Sequence, residues 1–148
     1  MKTKKLIIHR TGSLILLIAV MLTIFCLSAQ DATDSAEVSG SVVSWIHKLL
    51  NIDLPDGTLR TIAHGCEFAA LGFLMLNAFR AFRKDFKAVL SILFSFLYAV
   101  TDELHQLFVP GRAFQLIDLA VDLTGIIVGT AIFIVLLKII ETKTSRCE

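Results

Sequence analysis

The chain has 148 residues, 55% of them hydrophobic, with a mean hydropathy of +0.76 and a formal net charge of +1. A soluble domain of this length has too much surface to hide that composition, which excludes an ordinary water-soluble globule. A charge this close to zero gives no sign of a nucleic-acid partner.

The first apolar run, about Ser13–Ala29, follows a basic start of Lys2, Lys4, Lys5 and Arg10. It approaches the roughly 20 residues needed to cross a hydrocarbon core. A basic start, an apolar run and small residues near Ser28-Ala29 also describe a cleavable signal peptide. Retention as an anchor is the expected outcome, because four spans explain the basic residues at both ends. Phe25 precedes Cys26 where a lipoprotein site needs a small residue, so lipidation is not expected.

Residues 30–59 form the one sizeable polar segment. Val42, Ile46, Leu49 and Leu50 recur there at helical spacing beside Trp45, which predicts an interfacial helix with Trp at headgroup depth. Pro55-Asp56-Gly57 stops that helix, and a second span is expected over about Thr61–Ala81. A third follows over about Lys87–Phe108 and a fourth over about Phe114–Ile140, long enough to tilt or project. Backbone inside a bilayer must satisfy its own hydrogen bonds, and no period-two alternation supports a barrel, so the spans are helices. Val109-Pro110-Gly111-Arg112 joins the last two: proline stops one helix and glycine permits a sharp reversal.

The predicted fold class is therefore all-α, a polytopic membrane protein with four transmembrane helices in one domain spanning 1–148. Eleven of the fourteen Lys and Arg residues fall on one side of this arrangement, leaving Lys48, Arg60 and Arg112 opposite. The positive-inside rule then places both termini in the cytoplasm and residues 30–59 outside it. Cys26 and Cys66, in apolar helix, read as small packing residues, and the three cysteines make neither a disulfide framework nor a zinc motif.

Ionisable residues within the spans cost about 2.5–3.5 kcal/mol each at the helix centre, so they are retained for each other or for a ligand. Here they crowd the outer half. At about 100° per residue, Arg60, His64 and Glu67 share a stripe of the second helix. Tyr98, Asp102 and Gln106 share one on the third, with Glu103 and His105 at its margins. Asp118, Asp122, Gly125 and Gly129 share one on the fourth, where the Gly-x-x-x-Gly pattern admits a close neighbouring backbone.

Three uses of this set compete. A purely structural network would lock the helices, its acids paired with Arg60 and Arg112 or protonated. A cation site would use the excess acid; Glu67, Asp102, Glu103, Asp118 and Asp122 offer hard oxygen ligands suited to Mg²⁺ or Ca²⁺, while an added imidazole would favour Zn²⁺. A catalytic site would draw base and acid from His64, Glu67, Asp102, Glu103 and His105. A proton-coupled carrier fits less well, because transporters place their sites near the midplane and build them from paired repeats. No P-loop, Rossmann glycine pattern or serine elbow is present in a suitable setting.

Over roughly Phe25 to Leu137 the chain resembles the VanZ-like family of small bacterial membrane proteins. The resemblance rests on Ser28-Ala29-Gln30, on Arg60-x-x-x-His64-x-x-Glu67-Phe68, and above all on Tyr98-x-x-x-Asp102-Glu103-x-x-Gln106-x-Phe108-x-Pro110-Gly111-Arg112. It continues through Asp118-x-x-x-Asp122-x-x-Gly125-x-x-x-Gly129. Phe68 stands where the family often has Tyr. The resemblance implies a multi-pass protein of the bacterial plasma membrane and a connection to resistance toward the glycopeptide teicoplanin. It supplies no agreed reaction. With the outward cluster it leads to a cell-envelope protein that binds, or also modifies, a lipid-linked or peptidoglycan-associated group. Arg60, Tyr98, Gln106, Arg112, Asp118 and Asp122 are the expected binding residues, and membrane lipids, a lipid-linked cell-wall precursor or a glycopeptide the expected partners. The opposing reading is a structural or accessory subunit without chemistry.

Overall fold

A computed structural model describes residues 2–30, 48, 58–83 and 85–145. Among these residues the chain forms four helices: α1 (Lys2–Ser28), α2 (Thr58–Phe82), α3 (Ala88–Gln106) and α4 (Leu116–Ser145). Each is long and apolar enough to cross a membrane. The expected interfacial helix around Trp45 lies, apart from Lys48, outside the described residues.

Two boundaries depart from those the sequence predicts. α1 begins at Lys2, well before Ser13, because no proline or cap intervenes. Its lysines and arginine therefore ride on the same helix that crosses the membrane. α3 ends at Gln106, short of Phe108. There the backbone tightens into bonds from Phe108 N–H to the His105 carbonyl at 2.9 Å and from Val109 N–H to the Gln106 carbonyl at 3.1 Å. Gly111, at φ 74°, then takes the left-handed conformation that turns the chain back toward α4. At the opposite end α2 and α3 join through a short turn, with Phe79 stacked on Phe86 at 4.4 Å and an exposed Arg83–Asp85 pair at 3.2 Å.

α2 is the centre of the bundle. Its largest interface is with α4; α1 packs on its other flank, and α3 touches all three. The α2–α4 contact is close because small residues face each other. A Cβ on Gly125 or Gly129 would run into the carbonyl oxygens of Gly65 and Ala69, and one on Gly72 into that of Ile126. Without a hydrophobic driving force between helices in lipid, such close van der Waals contact is what holds two spans together. Leu17, Ile24, Phe68, Leu71, Met75, Ala78, Ala99 and Ile126 fill the interior. Ile15, Leu16, Leu93, Ile132, Val135 and many other large apolar side chains point outward, which suits a lipid solvent. Cys26 and Cys66 are free and exposed, so they line the outside instead of packing inside.

α1 is tied down at both ends. Near its start Arg10 donates to the Ala81 carbonyl at 3.0 Å, and Asn77 donates to Ser13 at 3.2 Å. Toward its end Tyr98 donates to the Met21 carbonyl at 2.6 Å.

Candidate functional site

The inward face of α3 reads Ser91, Ser95, Ala99, Asp102 and Gln106, all buried at helical spacing. Small residues let the helix sit deep in the bundle, and the polar residues that follow them are thereby carried into its interior. Glu103 is buried as well. From its place at the margin of the α3 stripe it meets the Leu107–Gln115 connection, where the Gln115 N–H donates to Glu103 Oε2 at 2.9 Å.

The polar residues resolve into two groups. The first joins α1, α2 and α3. Ser28 donates to Asp102 Oδ2 at 2.7 Å; Gln106 Nε2 donates to Ser28 Oγ at 3.2 Å and to Asp102 Oδ2 at 3.3 Å. Arg60 Nη2 closes the chain by donating to Gln106 Oε1 at 3.3 Å. Three helices are connected by one run of hydrogen bonds, which in a low-dielectric interior is stronger than its isolated pairs.

The second group joins α2, α3 and α4. His64 Nδ1 lies 3.3 Å from Asp122 Oδ1, and one potential ligand atom each of His64, Glu103 and Asp122 fall within 4.8 Å of one another. All three residues are buried. Glu67, Asp102 and Asp118 fall outside this compact set among the described residues. Asp118 is buried at the start of α4, and Glu67 is half-buried on α2.

Polar capacity is left over. Among the described residues Asp102 Oδ1, Glu103 Oε1, Asp122 Oδ2, His105 Nε2, Arg60 Nε and Arg112 Nε are buried atoms without a hydrogen-bond partner. A buried acceptor without a partner costs about 1–3 kcal/mol, and more when charged. Arg112, in the connection above the cluster, is held below its ordinary pKa first by burial and then by the neighbouring Arg60 guanidinium, against the opposing pull of Asp102, Asp118 and Glu103. It stays a cation, since an arginine is not deprotonated in a protein.

Two expected residues have other engagements. The Tyr98 hydroxyl is committed to the backbone of α1. His105 stacks on Phe25 with ring centroids 4.6 Å apart and does not join His64. Ser28 and Gln115 are the partners missed as site residues. Ser28 carried a signal, as the one hydroxyl at the end of an apolar run; Gln115 acts through its backbone, which no side-chain pattern reveals.

An apolar groove of about 540 Å³ lies between α2 and α4, and no member of the buried trio lines it. Gly65 and Val121 line it, and each is the chain neighbour of a member of the buried trio, His64 and Asp122.

No match was found among curated proteins or among solved structures. The family model described as VanZ/LLP1 matches residues 13–138, which takes in α2, α3, most of α1 and α4 and both polar groups, and the chain belongs to that family of membrane proteins.

Proposed function

We propose that this chain is a cell-envelope protein of the bacterial plasma membrane, with both termini in the cytoplasm and the polar cluster opening toward the outer leaflet. In this reading it binds the polar part of a lipid-linked or peptidoglycan-associated group and contributes to glycopeptide tolerance of the teicoplanin type. The observation that carries it is the set of unpartnered buried carboxylate oxygens on Asp102, Glu103 and Asp122, in a bundle that also has an apolar groove between α2 and α4. An amphipathic ligand needs both halves: acceptors for its polar head and a lipid-facing track for its chain. Arg112 at the mouth would orient an anionic group by bidentate hydrogen bonding. Were the bound group modified, His64 with Asp122 supplies an imidazole–carboxylate pair for proton transfer.

The structural alternative has its own support in the Ser28–Asp102–Gln106–Arg60 chain, which fastens three helices whatever binds nearby. Replacing Glu103 by Gln and Asp118 by Asn, and comparing protein abundance with teicoplanin tolerance, separates the two. Normal abundance with lost tolerance supports a binding site. Proportionate loss of both supports a lock, and no envelope phenotype on deletion removes the tolerance reading.

A further inference from the structure

We infer that His64, Glu103 and Asp122 bind one divalent cation of the Zn²⁺ class, through an imidazole nitrogen and two carboxylate oxygens. The ion would use the Glu103 and Asp122 oxygens that the proposed function gives to a polar head, but its binding does not require that ligand.

Three features of the trio argue for an ion over a plain ion pair. The first is the unused capacity. Glu103 Oε1 and Asp122 Oδ2 are buried without partners, on side chains that are themselves fully buried. The His64–Asp122 contact therefore leaves two oxygens with nothing to accept from.

The second is spacing. At 3.3 Å the His64 Nδ1 to Asp122 Oδ1 separation is long for a charge-assisted hydrogen bond, which settles at about 2.7–2.9 Å. Two ligands held about 2.0–2.2 Å from a tetrahedral ion stand about 3.3–3.6 Å apart, so the pair already has ligand spacing. The widest separation in the trio, bounded by 4.8 Å, closes to that distance by a movement of about an ångström, within reach of side-chain rotation.

The third is support. The Gln115 N–H holds Glu103 Oε2 at 2.9 Å and leaves Oε1 as the free donor atom, the pattern by which outer-shell hydrogen bonds orient a ligating carboxylate. The three residues come from three helices, so they approach one point from different directions.

Charge and donor type then select the ion. Two carboxylates and a neutral imidazole balance a 2+ charge, which removes net charge from a medium that solvates it poorly. The imidazole disfavours Mg²⁺, Ca²⁺ and Mn²⁺, which suit oxygen ligands, and favours Zn²⁺. The set thus differs from the all-carboxylate one expected from the sequence, in which Glu67, Asp102 and Asp118 were ligands and His64 was not. Three protein ligands leave a coordination position open for water or an incoming oxygen.

The test uses the full-length chain in detergent, with any affinity tag removed. Equilibrium dialysis against Zn²⁺ and Mg²⁺ separately, followed by elemental analysis, should give about one Zn²⁺ per chain and no retained Mg²⁺. Glu103→Gln, Asp122→Asn and His64→Gln should each weaken binding at least about tenfold, whereas Glu141→Gln at the far end of α4 should not. Co²⁺ loaded into the unaltered protein provides a reading that no variant's folding can spoil: visible bands of nitrogen–oxygen coordination support the site. Absent bands, no stoichiometric retention, or retention that the three variants leave intact would each overturn it. Metal binding without any envelope phenotype would sink the proposed function and leave this site standing.

Discussion

The hydroxyl of Ser28, the last residue of α1, donates a 2.7 Å hydrogen bond to the buried carboxylate of Asp102 on α3, 74 positions further along the chain. Ser28→Ala removes the shortest bond in the Asp102 group and leaves Gln106 as its remaining donor. The expected loss is about 1–3 kcal/mol, visible as a lower midpoint of thermal unfolding in detergent. An unchanged midpoint would mean that Asp102 finds water or another donor in that place.

Gly129 faces the Ala69 carbonyl with no room for a side chain, while Gly12 has nothing within 4 Å of where its Cβ would stand. Gly129→Val should therefore push α2 and α4 apart and cost about 1–3 kcal/mol or more, with reduced yield of folded protein. Gly12→Ala, inside the helical run of α1, should be neutral or stabilising by up to about 1 kcal/mol. Equal tolerance of both substitutions in a detergent melt would contradict the close α2–α4 contact.

Tyr98 was expected to bind a ligand, but its hydroxyl is engaged with the Met21 carbonyl. If anchoring α1 is its whole role, Tyr98→Phe costs about 0.5–1.5 kcal/mol of stability and leaves teicoplanin tolerance per folded molecule unchanged. A selective loss of tolerance at full stability would return Tyr98 to the ligand.

Orientation is the prediction on which the outward-facing reading depends. A reporter active only outside the cytoplasm should work when fused after Leu50 and fail when fused after Lys84. The reverse pattern would place the polar cluster on the cytoplasmic side.

Much of this was legible in the sequence for physical reasons that act locally. Chain length against bilayer thickness fixes four spans, and Pro110-Gly111 forces α3 and α4 into antiparallel neighbours. The Gly125–Gly129 surface was readable as a close-packing face; that Gly65, Ala69 and Gly72 are its counterpart was not, because pairing two helices requires their relative rotation. The same limit hid what covers Glu103. Helical projection gives the angle between residues on one helix, but what covers a side chain depends on its neighbours, here α4 and the backbone of Gln115. It also hid the division of the polar set into a hydrogen-bonded chain around Asp102 and a compact trio around Glu103. Both groups draw on residues from separate helices.

The attachment of α1 has a bearing on how the protein comes into being. Ser28 is made and inserted before α3, so a donor for Asp102 is already in the membrane when that acid arrives. Asp122 and the Gln115 N–H come later in the chain, so of the groups the structure places around Glu103 only His64 is made before it. Insertion in chain order would give Asp102 its Ser28 donor before Glu103 meets Asp122 and the Gln115 N–H. A chain clipped behind Ala29 would lose the Ser28 donor to Asp102 together with the membrane anchor, leaving the weaker Gln106 bond.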